Sequence, residues 1–193
     1  MRLMMRPQIR LFSRALLLVG LGTAAGHAAA QAEPVTDELS GIVAGIVHYT
    51  RWPDAPATLR LCIDARSELA SGAGARRLAD AITLLGPRLF TIDARRLDNA
   101  SAASVLDCHA LYVDAASAAA WQPMLKELIS RPVLTIGRGE DFCSWGGQFC
   151  LERSSTAPES MRIRANLDSI SRSGLRVNPQ LLRLTQREPK PSR

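Results

Sequence analysis

Ala110-Leu111-Tyr112-Val113, then Trp121, Leu125, Leu128 and Ile129, then Val133-Leu134-Thr135-Ile136: across residues 107–136 the spacing of apolar side chains changes twice. The outer two runs are short and continuous, as in strands buried on both faces. The middle set recurs at helical spacing and predicts a helix over residues 115–129. Arg131-Pro132 ends it, because proline disfavours helical geometry in the residue before it. Strand, helix, strand in succession makes a parallel pair joined by a helical crossover.

The alternation continues in both directions. Leu39, Ile42, Val43, Ile46 and Val47 predict a helix over residues 36–49, with Thr36 and Asp37 as caps and Trp52-Pro53 as its stop. Leu59 to Ile63 alternates as a strand. Leu78, Ile82 and Leu85 mark a second helix, ended by Gly86-Pro87, and Arg88 to Ile92 reads as the next strand. Gly137 to Gly147 is a turn-rich loop. Gln148 to Glu152 and Met161 to Ala165 pair as a late hairpin, followed by short helices over residues 167–172 and 179–185. The expected fold is α/β: a mostly parallel sheet covered by helices on both faces, a Rossmann-like three-layer arrangement with a late hairpin.

The first 30 residues have a different character. Arg2, Arg6, Arg10 and Arg14 stand without an acid, an apolar run spans Ala15 to Leu21, and Ala28 and Ala30 form an A-x-A site before Gln31. That order is a secretory signal peptide, and the apolar run is short for a membrane anchor, which needs about 20 residues. Residues 1–30 are therefore read as a cleaved leader and residues 31–193 as a single periplasmic domain. The whole chain has a net charge of +6, but without the four leader arginines it has 20 basic and 18 acidic residues, a net +2. The support for nucleic-acid binding goes with the leader. A basic tail, Arg183 to Arg193, remains and reads as a solvated end.

Cys62, Cys108, Cys143 and Cys150 all lie beyond the cleavage point, and export into an oxidising compartment turns an even number of thiols into disulfides. Of the three connectivities, spacing favours 62 with 108 and 143 with 150. The short loop holds two glycines and folds back easily, and the long one needs neighbouring strands. A zinc site wants close cysteine pairs, and there are none. Catalytic frames are missing too. His48 and His109 fall in no metalloprotease or serine-hydrolase motif, no G-x-S-x-G occurs, and Gly72-Ala73-Gly74 and Gly137-Arg138-Gly139 lack phosphate-loop spacing. The sequence points to no cofactor, no metal and no enzyme.

Two aromatic groups invite a binding role. Trp52, with Arg51 beside it, is either a packing staple at the end of the first helix or a ligand contact. Phe142, Trp145 and Phe149 surround the short cysteine loop. Exposed there they would suit a protein-binding hot spot, and buried they are core.

In order along the chain stand Tyr49-Thr50-Arg51-Trp52-Pro53, Leu59 to Ile63, Cys108 to Val113, Pro132 to Gly137, Cys143 through Trp145-Gly146-Gly147-Gln148-Phe149-Cys150-Leu151, Ile163 to Leu167, Ser173 to Val177 and Gln180 to Leu184. This run resembles the YfiR family of periplasmic proteins over nearly all of the mature chain. One departure is Trp145, where smaller residues are common. The resemblance implies a dimeric repressor that binds the periplasmic sensor domain of an inner-membrane diguanylate cyclase and lowers cyclic di-GMP, with two disulfides in the pairing above. Its candidate contacts are Trp145, Gly146, Gly147, Phe149 and Leu151 in one segment and Ile163 and Arg164 in the next strand. A small-molecule binding module, with Trp52 and Arg51 at its ligand, is the alternative.

Overall fold

A computed structural model describes residues 34–86, 90–99, 101–114, 118–139, 141–154 and 160–185. All of them belong to one compact unit, Ala32–Arg193. The leader, the basic tail from residue 186, and the expected helix start at 115–117 lie outside the described residues.

Helix α1 (Pro34–His48) is followed by β1 (Thr50–Arg51), β2 (Thr58–Asp64), a 3₁₀ turn (Glu68–Ala70), α2 (Gly72–Leu84) and β3 (Thr91–Leu97). Then come α3 (Ala102–Val105), β4 (Ala110–Val113), α4 (Ala118–Leu128) and β5 (Leu134–Arg138). The hairpin strands β6 (Phe149–Arg153) and β7 (Met161–Ala165), α5 (Leu167–Ser173), β8 (Arg176–Val177) and α6 (Pro179–Thr185) complete the order. The main sheet has six strands in the order β3-β2-β4-β5-β6-β7, with only β6 and β7 antiparallel.

Side-chain alternation builds the three layers. Leu59, Leu61 and Ile63 of β2 and Ala110 and Tyr112 of β4 face one core with Leu39, Val43 and Val47 of α1 and Leu78 of α2. Cys62, Leu111 and Val113 face the other core with Val105, Trp121, Leu125, Leu128 and Phe142. A parallel sheet buried on both sides therefore needs unbroken apolar runs, and β4 is buried at all four positions. Trp121 at 2% exposed is the largest side chain of the second core.

The strand expected at Arg88 to Ile92 is displaced: it runs Thr91–Leu97, parallel to β2. Only its first two residues belong to the apolar run that marked it. The rest is an edge strand carrying Asp93, Arg95 and Arg96, so its ladder and not its hydrophobicity defines it. A second, two-stranded sheet pairs β1 with β8 and places Thr50 opposite Val177 and Arg51 opposite Arg176.

Both expected disulfides are present. Cys62–Cys108 ties β2 to the loop entering β4, and Cys143–Cys150 ties the turn-rich loop to β6. Each closes a loop of the unfolded chain, of 46 and 7 residues. Urea unfolding should show a loss of about 4 kcal/mol for Cys62→Ser/Cys108→Ser and about 2.5 kcal/mol for Cys143→Ser/Cys150→Ser. A larger loss from the short bridge would contradict the loop-closure account.

Candidate functional site

The loop between β5 and β6 is the least ordinary part of the fold. Parallel neighbours are joined by a crossover that is usually helical and a dozen or more residues long. Here the described residues, 139 and 141–148, cross back over the second core without a helix among them. Phe142 takes the helix's place and is fully buried. Its ring is wedged between two backbones: a Cβ built at Gly137 would stand 2.4 Å from one edge of the ring, and one at Gly147 2.2 Å from the other. Neither position accepts a side chain while Phe142 stays. Gly146 has φ of 105°, which an L side chain rarely adopts.

Hydrogen bonds hold the same loop. Gly147 N–H donates to the Phe142 carbonyl at 3.0 Å, and Gly146 N–H to that of Cys143 at 3.1 Å. Gln148 is buried and bonded at every polar group described: its N–H donates to Thr135 Oγ1, its Nε2 donates to the Val133 carbonyl, and its Oε1 accepts from Thr135 N–H. Asn166 joins loop to helix. Its Nδ2 donates to the Cys143 carbonyl at 2.9 Å, and its Oδ1 caps α5 by accepting from Ser169 N–H at 3.1 Å. The sequence marks Gln148 only as the start of a hairpin strand and Asn166 only within the family resemblance. Their roles show once β5, β6 and β7 are side by side.

The proposed contact residues divide by depth. Gly147, Phe149 and Leu151 are buried, Phe149 completely. Trp145 and Gly146 are half-buried at the loop surface, with Trp145 packed on the second core. Ile163 and Arg164 lie on the edge strand β7; Ile163 packs on the first core, and Arg164 is exposed and ion-paired to Glu152 at 2.8 Å. Around the short disulfide, Phe142 is anchored in the second core and Phe149 in the first, while Trp145 and Gly146 remain partly accessible.

Trp52 and Arg51 part company. Trp52 is 7% exposed, its indole N–H donates to the His109 carbonyl at 2.9 Å, and its ring meets Phe90 edge-on at 6.0 Å. Arg51 is exposed, bonded to the His48 carbonyl, and borders a recess of about 200 Å³ with Tyr49, Arg176, Val177, Asn178 and Pro179. His109 is tied in from the other side: its Nδ1 accepts from Arg60 N–H at 2.9 Å. Burial first, and Arg60 second, lower its pKa below 6.5, against an opposing pull from Asp107 and Asp54.

At the carboxyl ends of the parallel strands, where ligands sit in open α/β sheets, polar groups gather. Arg138 stands 3.4 Å from Glu68 and 3.6 Å from Asp114. Tyr112 lies fully buried among them, its phenol pushed up chiefly by burial and then by Asp114. This charge cluster is internally paired. Among the described residues no group of three or more His, Cys, Asp or Glu is placed to hold a metal, and no helix is long and apolar enough to cross a membrane.

Comparison with protein families gives a match over most of the chain. The family model described as YfiR/HmsC-like matches residues 40–186, and the chain belongs to that family. The match spans both disulfides, the stapled loop and β7.

Two outcomes follow from this geometry. Gly147→Ala should lower stability by about 1–3 kcal/mol, because Phe142 must leave its slot; an unchanged urea midpoint would show that the ring is not clamped. His109 is held neutral in the fold, so below pH 6.5 the unfolded chain binds a proton that the folded chain refuses. Stability should fall as pH drops from 6.5, and His109→Asn should flatten that fall, as read by thermal melts at stepped pH.

Proposed function

We propose, from this family membership, that the chain is a periplasmic negative regulator: it binds the periplasmic sensor domain of an inner-membrane diguanylate cyclase and represses cyclic di-GMP synthesis. In this reading residues 1–30 are a cleaved signal peptide, the mature chain acts as a homodimer, and it has no catalytic step of its own.

The observation that carries the reading is the stapled loop. Its interior is locked by Phe142, Gln148 and Asn166. Its rim presents Trp145, packed on the second core, and Gly146, which lies against Leu125 and Ile129. A rigid aromatic at a surface, backed by a covalent loop, loses little entropy when it docks, which is what a hot spot requires. The bridge also offers a switch. Losing it lets residues 143–150 fluctuate, and a partner held only by the ordered loop is released, since only differential affinity moves the cyclase between its states.

A second reading rests on Arg51 and Arg176. They face each other across β1 and β8, both exposed, with no acid lining the recess beside them. Like charges so placed suit an anion, a carboxylate or phosphate of a small ligand.

Pull-down of the mature chain against the solubilised cyclase is the test. Trp145→Ala should reduce capture about tenfold or more, and Cys143→Ser/Cys150→Ser should do so with the fold intact by circular dichroism. Undiminished capture by both variants would sink the stapled-loop reading. For the second reading, thermal shift with small carboxylates and phosphates should rise for the parent chain and not for Arg51→Ala; no shift at saturation removes it.

A further inference from the structure

Strand β3 is the far edge of the main sheet from β7, and it is paired on one side only among the described residues. Seven residues of open strand is a long edge, of the kind proteins normally cover or blunt. Thr91 N–H donates to the Ala57 carbonyl, and the Leu97 carbonyl accepts from Ala65 N–H. Residues 91, 93, 95 and 97 therefore turn their backbone groups toward β2. Ile92, Ala94 and Arg96 turn theirs outward.

The side chains sort by face. Ile92 and Ala94 join Leu78 and Ile82 of α2, and Phe90, along an apolar groove of about 650 Å³. Leu84, at the end of α2, is 87% exposed. On the opposite face Arg95 pairs with Asp93 at 2.7 Å and with Asp107 at 3.3 Å, all of them at least 39% exposed.

We infer that β3 is the docking edge for a second copy of this chain, paired antiparallel about a two-fold axis at Ala94. In that register Ala94 faces its own counterpart and Ile92 faces Arg96. These are the outward-facing residues, so they exchange the backbone hydrogen bonds. Asp93 of one copy stands opposite Arg95 of the other, twice, at the closer, non-hydrogen-bonded positions. Sliding the strands by one step that keeps both α2 helices on the same face sets Asp93 against Asp93 or Arg95 against Arg95, so the charges select a single register. The pairs within each copy are exposed and cost little to exchange. Both apolar grooves come to lie on the same side of one continuous sheet. The inference deepens the homodimer reading and rests on it.

Sedimentation of the full mature chain over a concentration series tests it, with circular dichroism confirming the fold of each variant. The parent chain should dimerise. Arg95→Asp should weaken dimerisation about tenfold or more, and Asp93→Arg/Arg95→Asp should restore it. Ala94→Pro removes only an outward N–H, which an edge strand tolerates, and should yield a monomer. A dimer unmoved by Arg95→Asp and Ala94→Pro overturns this edge while the homodimer stands. A dimer that the charge swap fails to restore overturns the register. A parent chain monomeric at every concentration overturns both the edge and the homodimer.

Discussion

A parallel sheet tolerates no uncovered face, and the crossover from β5 to β6 must meet that demand without a helix. Everything unusual in the second half of the chain follows. Phe142 supplies the buried apolar volume that a helix would have supplied. To sit close enough it needs bare backbone on both sides, hence Gly137 and Gly147. Turn hydrogen bonds hold the loop within itself, and Gln148 and Asn166 add side-chain amides that tie it to the Val133 carbonyl of its neighbour and to its own Cys143 carbonyl. The Cys143–Cys150 bridge then closes the ends. Covering the core and fixing the loop's surface residues in place are consequences of one packing requirement.

That requirement also explains which parts of the structure could be read from the chain alone. The buried strands β2, β4 and β5 and the helices α1 and α4 announce themselves because burial on two faces or one stripe forces apolar spacing. The hairpin of β6 and β7 is legible for the same reason. Strand β3 is not, because an edge strand with Asp93, Arg95 and Arg96 has no such constraint, and it begins at Thr91, beyond the start of the apolar run at Arg88. The two-residue sheet of β1 and β8 is too short to leave any periodicity. At the site, the cysteine pairing was legible from spacing, whereas depth was not. Phe149, Leu151 and Trp145 are all apolar and near one another in sequence, yet two line the core and one reaches the surface. Only the register of β6 between β5 and β7 decides that.

The two edges of the sheet differ in a way that separates the tasks assigned to them. Edge β7 is backed by the stapled loop, and its N–H at Met161 is capped by Glu38 from α1 at 3.0 Å. Its exposed Arg164 is occupied by Glu152. A strand blunted in this way is less open to the addition of another strand. Edge β3 keeps its outward backbone groups available among the described residues and spaces its charges about Ala94 so that they complement themselves. A partner unlike this chain has no reason to match that spacing, whereas a second copy matches it by symmetry. Assembly through β3 leaves both β7 edges and both disulfide loops at the outer ends of the joined sheet. A dimer built this way would hold its two identical loop rims far apart, at opposite ends of one continuous sheet.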